Sequence, residues 1–282
     1  MTHSIPESEM PAYLEAKAKE LRKTILTMIH SAKSGHPGGS LSAADIMAVL
    51  YFEELNIRPE NPHWEDRDRF VLSKGHVCPV LYSCLALRNY FPMDTIYTLR
   101  KEGSMLQGHP DMKRCPGIDI STGSLGQGLS TAVGMALAGK RDGRPYRVFC
   151  LVGDGESQEG QIWEAVQSAV KYQLDNLIII VDNNGLQNDS TCEDVMPLGN
   201  LAEKFSAFGC DVQRIDGHRI DEIRNAFAAA RKENHGKPHC ILAKTIKGKG
   251  VSFMENVVSW HGTAPNDEQY ALAMQEIEGG VR

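Results

Sequence analysis

No stretch of this chain approaches the roughly 18 consecutive apolar residues that a membrane-spanning helix needs. The opening residues 1–11 are polar and lack the apolar core of a secretion signal. Basic tracts are equally scarce. With 36 acidic and 30 basic residues the net charge is −6, which argues against a nucleic-acid partner. The densest basic stretch, 244–250, reads as a solvated loop. Seven cysteines occur, but with no C-x-x-C pair and no ladder of close spacings. A reduced, cytoplasmic setting is the simplest expectation. Cys150 and Cys240 fall in apolar runs, where a free thiol behaves as a small buried hydrophobe. No internal repeat, low-complexity tract or linker rich in Pro, Gly or Ser marks a boundary. One domain over 1–282, with short terminal extensions, is therefore expected.

What the chain does contain is ordinary in bulk, 41% hydrophobic and 23% charged residues. It is distinctive in order. Residues 11–33 carry Leu14, Ala18, Leu21, Ile25, Met28 and Ile29 at steps of three and four, the pattern of an amphipathic helix. Ser34-Gly35-His36-Pro37-Gly38-Gly39 ends it. Ser42 followed three residues later by Asp45 predicts a capped second helix. A short strand is expected at 69–73, then Lys74-Gly75-His76 and a helix to about residue 88. Another helix is predicted at 94–101 and a loop at 108–120. The stretch 125–138 reads as a helix rich in small residues, able to pack closely against a neighbour. Beyond it, strands near 146–152, 177–182, 210–215 and 239–244 alternate with helices. That alternation calls for an α/β fold, a doubly wound, mostly parallel sheet with helices on both faces.

Gly153-Asp154-Gly155 follows the first of these four strands, and Asn183-Asn184 follows the second. In a β-α-β unit with a right-handed crossover both strand ends open on one edge of the sheet, so Asp154 and Asn184 converge there. A carboxylate and an amide oxygen are hard donors suited to Mg²⁺ or Ca²⁺. Gly155 lets backbone approach a phosphate, and the following helix start favours negative charge. Gly-Asp-Gly alone is also an ordinary turn sequence. The order strand, GDG, helix, strand, NN is far more specific and points to a metal-bridged diphosphate. Four of the ten histidines, His36, His76, His109 and His261, stand beside or near glycine in loops, where imidazole can exchange protons near neutral pH.

Those segments carry a resemblance. SGHPGGSLS (34–42), SKGH (73–76), GHP (108–110), STGSLGQG (121–128), VGDGE (152–156), NNGLQ (183–187), IDGH (215–218) and KTIKGKG with WHGTAP resemble the amino-terminal, diphosphate-binding domain of transketolase. The likeness runs from about residue 11 to 267. Ser124 stands where many full-length transketolases carry proline, and KGKGVSFMEN with Trp260 looks most like the short, separately encoded amino-terminal subunits.

The resemblance implies a thiamine-diphosphate-binding fold, a thiamine diphosphate cofactor and Mg²⁺ (or Ca²⁺) held by Asp154, Asn184 and the carbonyl of Leu186. His76, His261, Gly155 and Asn184 would hold the diphosphate, and Gly123, Ser124 and Leu125 would lie against the cofactor rings. His36, His109 and His261 would bind the sugar, with His36 and His261 catalytic. Glu159 would stand at the interface between subunits, and His218 would be structural. His3, His30, His63, His235 and His239 receive no role. The family's activating glutamate lies on a pyrimidine-binding domain that this sequence does not contain, nor does it contain the family's third domain. The resemblance therefore implies a separately encoded carboxy-terminal partner, a heterotetramer, and ketol transfer between sugar phosphates. Rival expectations are a subunit of another thiamine-diphosphate enzyme, of 2-oxo-acid dehydrogenase or deoxyxylulose-phosphate synthase type, or a non-catalytic homologue. GHPGG with SLGQG and WHG argues against the dehydrogenase.

Overall fold

A computed structural model describes residues 5–232 and 236–279; His3 and His235 lie outside them. The first helix, α1 (Met10–Ala32), buries Leu14, Ala18, Leu21, Ile25, Met28 and Ile29, the stripe expected from their spacing. Pro11 sits in its first turn, where a missing N–H costs nothing. It stops at Lys33, whose backbone is left-handed. Two short helices follow, α2 (Pro37–Ser42) and α3 (Ala44–Val49), every residue of both buried. Ser42 does not cap the second helix as its pattern predicts. It is the last residue of α2, and its hydroxyl turns to Gly39 O and to Asp182 instead. Asp45 likewise leaves capping for a buried pair with Arg22.

Strand β1 (Arg69–Leu72) leads into α4 (Cys78–Leu87), which is apolar all round and accordingly enclosed. Residues 94–101 do not form the expected α-helix; a single 3₁₀ stretch, Met93–Thr98, stands there. Next come α5 (Gln127–Arg141), β2 (Val148–Gly153), α6 (Gly160–Lys171) and β3 (Leu177–Asn183). Then follow α7 (Cys192–Val195), α8 (Leu201–Phe208), β4 (Asp211–Asp216) and α9 (Ile220–Lys232). Strand β5 (His239–Lys244) and α10 (Asp267–Gly279) complete the order. The small residues of α5 do allow close packing: a Cβ on Gly128 would meet Ser73 and one on Gly139 would meet Tyr146. Gly134 faces open space.

The described strands form one sheet in the order β1-β2-β3-β5-β4, parallel throughout. Alternate residues of a strand point to opposite faces. Phe70, Leu72, Phe149, Leu151, Ile178, Ile180 and Ile241 pack with α1, α3, α4 and α9. Val71, Cys150, Val152, Ile179, Val181, Cys240 and Leu242 pack with α5, α6 and α8 on the other side. Both faces are covered, which is why the inner strands read as unbroken apolar runs. The chain crosses the sheet from β1 to β4 with α5, α6 and α8 on one face. It then steps back to β5 with α9 on the opposite face, as a right-handed crossover requires.

That topology opens a crevice at the carboxyl edge. β1 leads to α4 on one face and β2 to α6 on the other, so the backbones diverge between them.

Core truncation should be costly in proportion to burial. Phe149 is fully enclosed and meets Phe227 edge-on at 5.9 Å between centroids. Phe149→Ala is expected to lower unfolding free energy by about 3–5 kcal/mol. The exposed Tyr172→Ala should stay within about 0.5 kcal/mol. Urea denaturation checks both, and equal effects would refute this placement of the core.

Candidate active site

Asp154 follows β2 directly and is buried. One carboxylate oxygen accepts from Gly155 N at 2.8 Å and the other from Gly185 N at 2.5 Å. Burial pushes its carboxyl up, with the nearby Asp182 charge acting in the same sense. Such a group is served by a cation. Asn184 lies just past β3, with Oδ1 accepting from Leu186 N at 3.1 Å. The Leu186 carbonyl faces the same cleft, where Lys247 Nζ donates to it at 3.2 Å. No group of three or more His, Cys, Asp or Glu among the described residues could hold a metal. The donors gathered here are instead a carboxylate, an amide oxygen and a main-chain carbonyl, a set fitted to a hard divalent ion.

Gly155 differs from expectation in two ways. Its N–H is already given to Asp154, and α6 begins only at Gly160, after the 3₁₀ turn Gly155–Gln158. What the glycine supplies is room, since a Cβ there would stand 3.0 Å from Gln187 Cβ.

The four selected histidines share this cleft, a hollow of about 310 Å³. His36 begins α2, His76 rides the 3₁₀ turn Gly75–Val77, and His261 ends the turn Val258–His261. Ring centroids are 5.1 Å apart for His36–His76, 5.4 Å for His36–His261 and 5.1 Å for His76–His261. His109 flanks them, pressed against Gly123, where a Cβ would come within 2.9 Å of its ring. Gly123 also has φ +152°, a second reason for glycine. Gly123 and Leu125 line the cleft. Ser124, between them, is exposed and lines a neighbouring hollow with Gln127 and Thr131. Glu159 stands exposed on the rim.

Four residues that organise the cleft were not among those selected from sequence. Lys74 crosses the end of β2 to pair with Asp182, the last buried residue of β3. Asp182 also accepts from Ser42 Oγ at 2.5 Å and from Thr245 Oγ1. Burial alone would raise its carboxyl, but the Lys74 charge and these hydrogen bonds hold it below the usual range. Glu156 accepts from Ser73 Oγ, Gly126 N and Gly153 N, tying the 123–126 loop to the ends of β1 and β2. Lys247 is buried, contrary to the solvated loop expected at 244–250. Its ammonium donates to His261 Nδ1 at 2.8 Å and to the carbonyls of Leu186 and Gln187. Burial first, then Lys74, lowers it to about 8. The available signal was an aspartate closing the apolar run 177–181 and lysines inside glycine-flanked motifs after strands.

Burial, with these cations, keeps the histidines neutral. Burial lowers His36 to about 4, His76 to about 2 and His261 to about 3, reinforced by Arg100, Lys74 and Lys247 respectively. Burial and then Arg100 also lower His109. Lysine and arginine only donate here, so Lys247 at His261 Nδ1 and Arg100 at His36 Nδ1 (3.4 Å) leave the hydrogen of each ring on Nε2. The WHG segment is not a free loop: Trp260 is buried and the turn is seated on Lys247. A larger hollow of about 500 Å³ beyond Asp154, lined by Cys192, Leu198, Arg214 and Lys244, contains none of the histidines.

The lowered histidines bind protons in the unfolded chain near 6.5 but in the folded chain only near 4, 2 and 3. The unfolded state therefore holds more protons below 6.5, and their contribution to stability falls as pH drops from about 6.5 towards 4. His76→Gln should lose stability less steeply than the parent chain between pH 7 and pH 5. The raised carboxyls of Asp154 and Glu156 act in the opposite sense in both proteins, so the difference isolates His76. Urea midpoints at several pH values check it; parallel curves would refute the neutral cluster.

Residues 15–279 match the family model described as "Transketolase, thiamine diphosphate binding domain". The chain is 48% identical over 271 residues to the 6-deoxy-6-sulfo-D-fructose transketolase subunit SqwG of Clostridium sp. (strain MSTE9), covering 96% of this chain and 98% of that one. It is 41% identical to one of the apulose-4-phosphate transketolase subunits of Phocaeicola vulgatus, over 94% of this chain and 93% of that one. Among solved structures it is similar to the transketolase of Campylobacter jejuni, with a TM-score of 0.89 and 35% identity, covering 95% of this chain but 43% of that one. The chain belongs to the transketolase family, as its thiamine diphosphate-binding domain.

Proposed function

We propose that this chain is the cofactor-anchoring subunit of a split transketolase, which moves a two-carbon ketol unit from a ketose phosphate to an aldose phosphate. One observation carries the reading. A hard-cation donor set and three mutually touching neutral histidines share one cleft at the diverging ends of β1 and β2. When bound, thiamine diphosphate supplies a nucleophilic carbon able to take up the ketol unit. Asp154, Asn184 Oδ1 and the Leu186 carbonyl would hold Mg²⁺ (or Ca²⁺) against the diphosphate. Lys247, His76 and His261 would hold its remaining oxygens, with the cleft backbone at Gly155 and Asn184 beside them. The 123–125 backbone would support the rings.

His36 and His261 each present Nε2–H, the form that donates to a sugar oxygen as charge develops on it. His109, at the open side, would take a donor hydroxyl. A cluster that stays neutral leaves the cationic charge to the lysines, so the imidazoles can donate hydrogen bonds to the sugar without adding to the field that holds the diphosphate. Glu159, exposed on the rim, would meet a second subunit.

Relatives of nearly equal length bear the names of transketolase subunits, which supports a separately encoded partner carrying the pyrimidine-binding domain and its activating carboxylate. We place the pair in a heterotetramer in the cytoplasm, a setting that suits seven free, buried thiols. No described helix is long and apolar enough to cross a membrane.

The chain alone is expected to show no ketol transfer, with activity restored on addition of the partner. Coupled assay of the isolated and mixed subunits decides this, and full turnover by the single chain would refute the split. Asp154→Ala should weaken metal-dependent binding of thiamine diphosphate more than about 100-fold, since even outer partners of a metal are worth about 10–100-fold. Asn184→Ala should weaken it less, because a neutral amide is the poorer donor. Calorimetry with and without Mg²⁺ measures both; parental affinity in Asp154→Ala would remove it from the metal site.

A further inference from the structure

Lys247 reaches the cleft from a tight turn, and that turn is gripped from outside. Arg22 on α1 and Asp45 on α3 form a buried, two-point pair, with Nη1 to Oδ1 at 3.0 Å and Nη2 to Oδ2 at 2.5 Å. His218, in the connection between β4 and α9, adds Nδ1 to the same Asp45 oxygen at 2.7 Å. From this cluster two further bonds extend. Ile246 N donates to His218 Nε2 at 2.8 Å, and Arg22 Nε donates to Lys249 O at 3.1 Å. The residues on either side of Lys247 and Gly248 are thus both held, one by the imidazole and one by the guanidinium.

We propose that Arg22, Asp45 and His218 form a positioning clamp, remote from the cleft, that fixes the 246–249 turn so that Lys247 meets His261 and the cofactor diphosphate. The chemistry of the bonds is specific. A backbone N–H can donate only to a bare ring nitrogen, so His218 Nε2 carries no hydrogen and Nδ1 donates to Asp45. Asp45 must then be an ionised acceptor for both Arg22 and His218. Burial raises its carboxyl, but the Arg22 charge and the His218 bond outweigh it and bring it to about 2. Removing either charged member, Arg22 or Asp45, would leave the other buried and uncompensated. Elsewhere the turn is held by Gly248 N to Gly38 O and Asn256 N to Lys247 O, both at 2.9 Å, and by Lys249 N to Ile246 O at 3.2 Å and Val251 N to Gly248 O at 3.3 Å. His218 is therefore a positioning residue acting through a peptide N–H, with no contact to the cleft of its own.

The clamp rests on the reading of Lys247 as a diphosphate-holding residue, and the test separates the two. In the isolated full chain, ¹⁵N spectra should show His218 as the Nδ1–H tautomer, with the Ile246 amide protected from exchange. A ring protonated on Nε2, or an unprotected Ile246 amide, overturns the clamp without any variant. In the assembled enzyme with Mg²⁺, His218→Met should raise the Kd for thiamine diphosphate about tenfold, the lower end of what supporting partners contribute. His218→Gln, which keeps an acceptor for Ile246 N, should recover most of that loss, a rescue that a merely space-filling role would not give. Lys247→Met provides the comparison. Parental affinity there overturns the diphosphate role of Lys247, whereas weakened binding in Lys247→Met with parental binding in His218→Met overturns the clamp alone.

Discussion

The buried pair of Lys74 with Asp182 is the interaction on which the carboxyl edge of this sheet depends. Lys74 leaves the end of β1 and Asp182 nearly ends β3, with β2 between them. The lysine stem passes over Gly153, where an added Cβ would lie in ordinary van der Waals contact with it at 3.5 Å. Taking both charges out of water is expensive and is tolerated only when further hydrogen bonds satisfy the carboxylate. Ser42 and Thr245 supply them, so α2, β1, β3 and the segment after β5 meet at one side chain.

From that junction follows the field in the cleft. Burial keeps the imidazoles neutral, and the positive charge of Lys74 and Lys247 behind them adds to that effect. The same two lysines face the raised carboxyl of Asp154, partly offsetting a charge that burial makes costly. A diphosphate with a divalent ion matches this arrangement. In the proposed reading the anion would answer Lys247 and the cation would answer Asp154, so each of these buried charges would gain a partner. The tautomers of His261 and His36 follow from Lys247 and Arg100, because a fixed donor on each Nδ1 leaves one orientation of the imidazole hydrogen.

The sheet decides where these groups can meet. Residues far apart in sequence, Gly38, Lys74, Gly123, Asp154, Asn184 and Lys247, come to one edge because every strand runs the same way. The crevice lies where α4 and α6 leave on opposite faces. Glu156 then brings in the 123–126 loop, an irregular segment with no ladder of its own, through Gly126 N.

Much was legible in the sequence where structure depends on neighbours a few residues away or on burial of a whole segment. The stripe of α1, the apolar runs of β2, β3 and β5, and the GDG and NN turns at strand ends all belong to this kind. So does the placement of His36, His76, His109 and His261 in one cleft, once the order of motifs identified the family. Ser42, Lys247 and the WHG turn were not legible. A serine three residues before an acid has the same local pattern whether it caps a helix or bonds Asp182 across the sheet. A lysine among glycines reads as solvated unless Leu186, Gln187 and His261 are known to surround it. The sequence by itself determined the strands, the helical stripes and the chemistry available at each turn, because those follow from periodicity and residue type. Only the tertiary structure decided which polar groups are buried together, since the cost of burying a charge is set by partners that arrive from elsewhere in the chain.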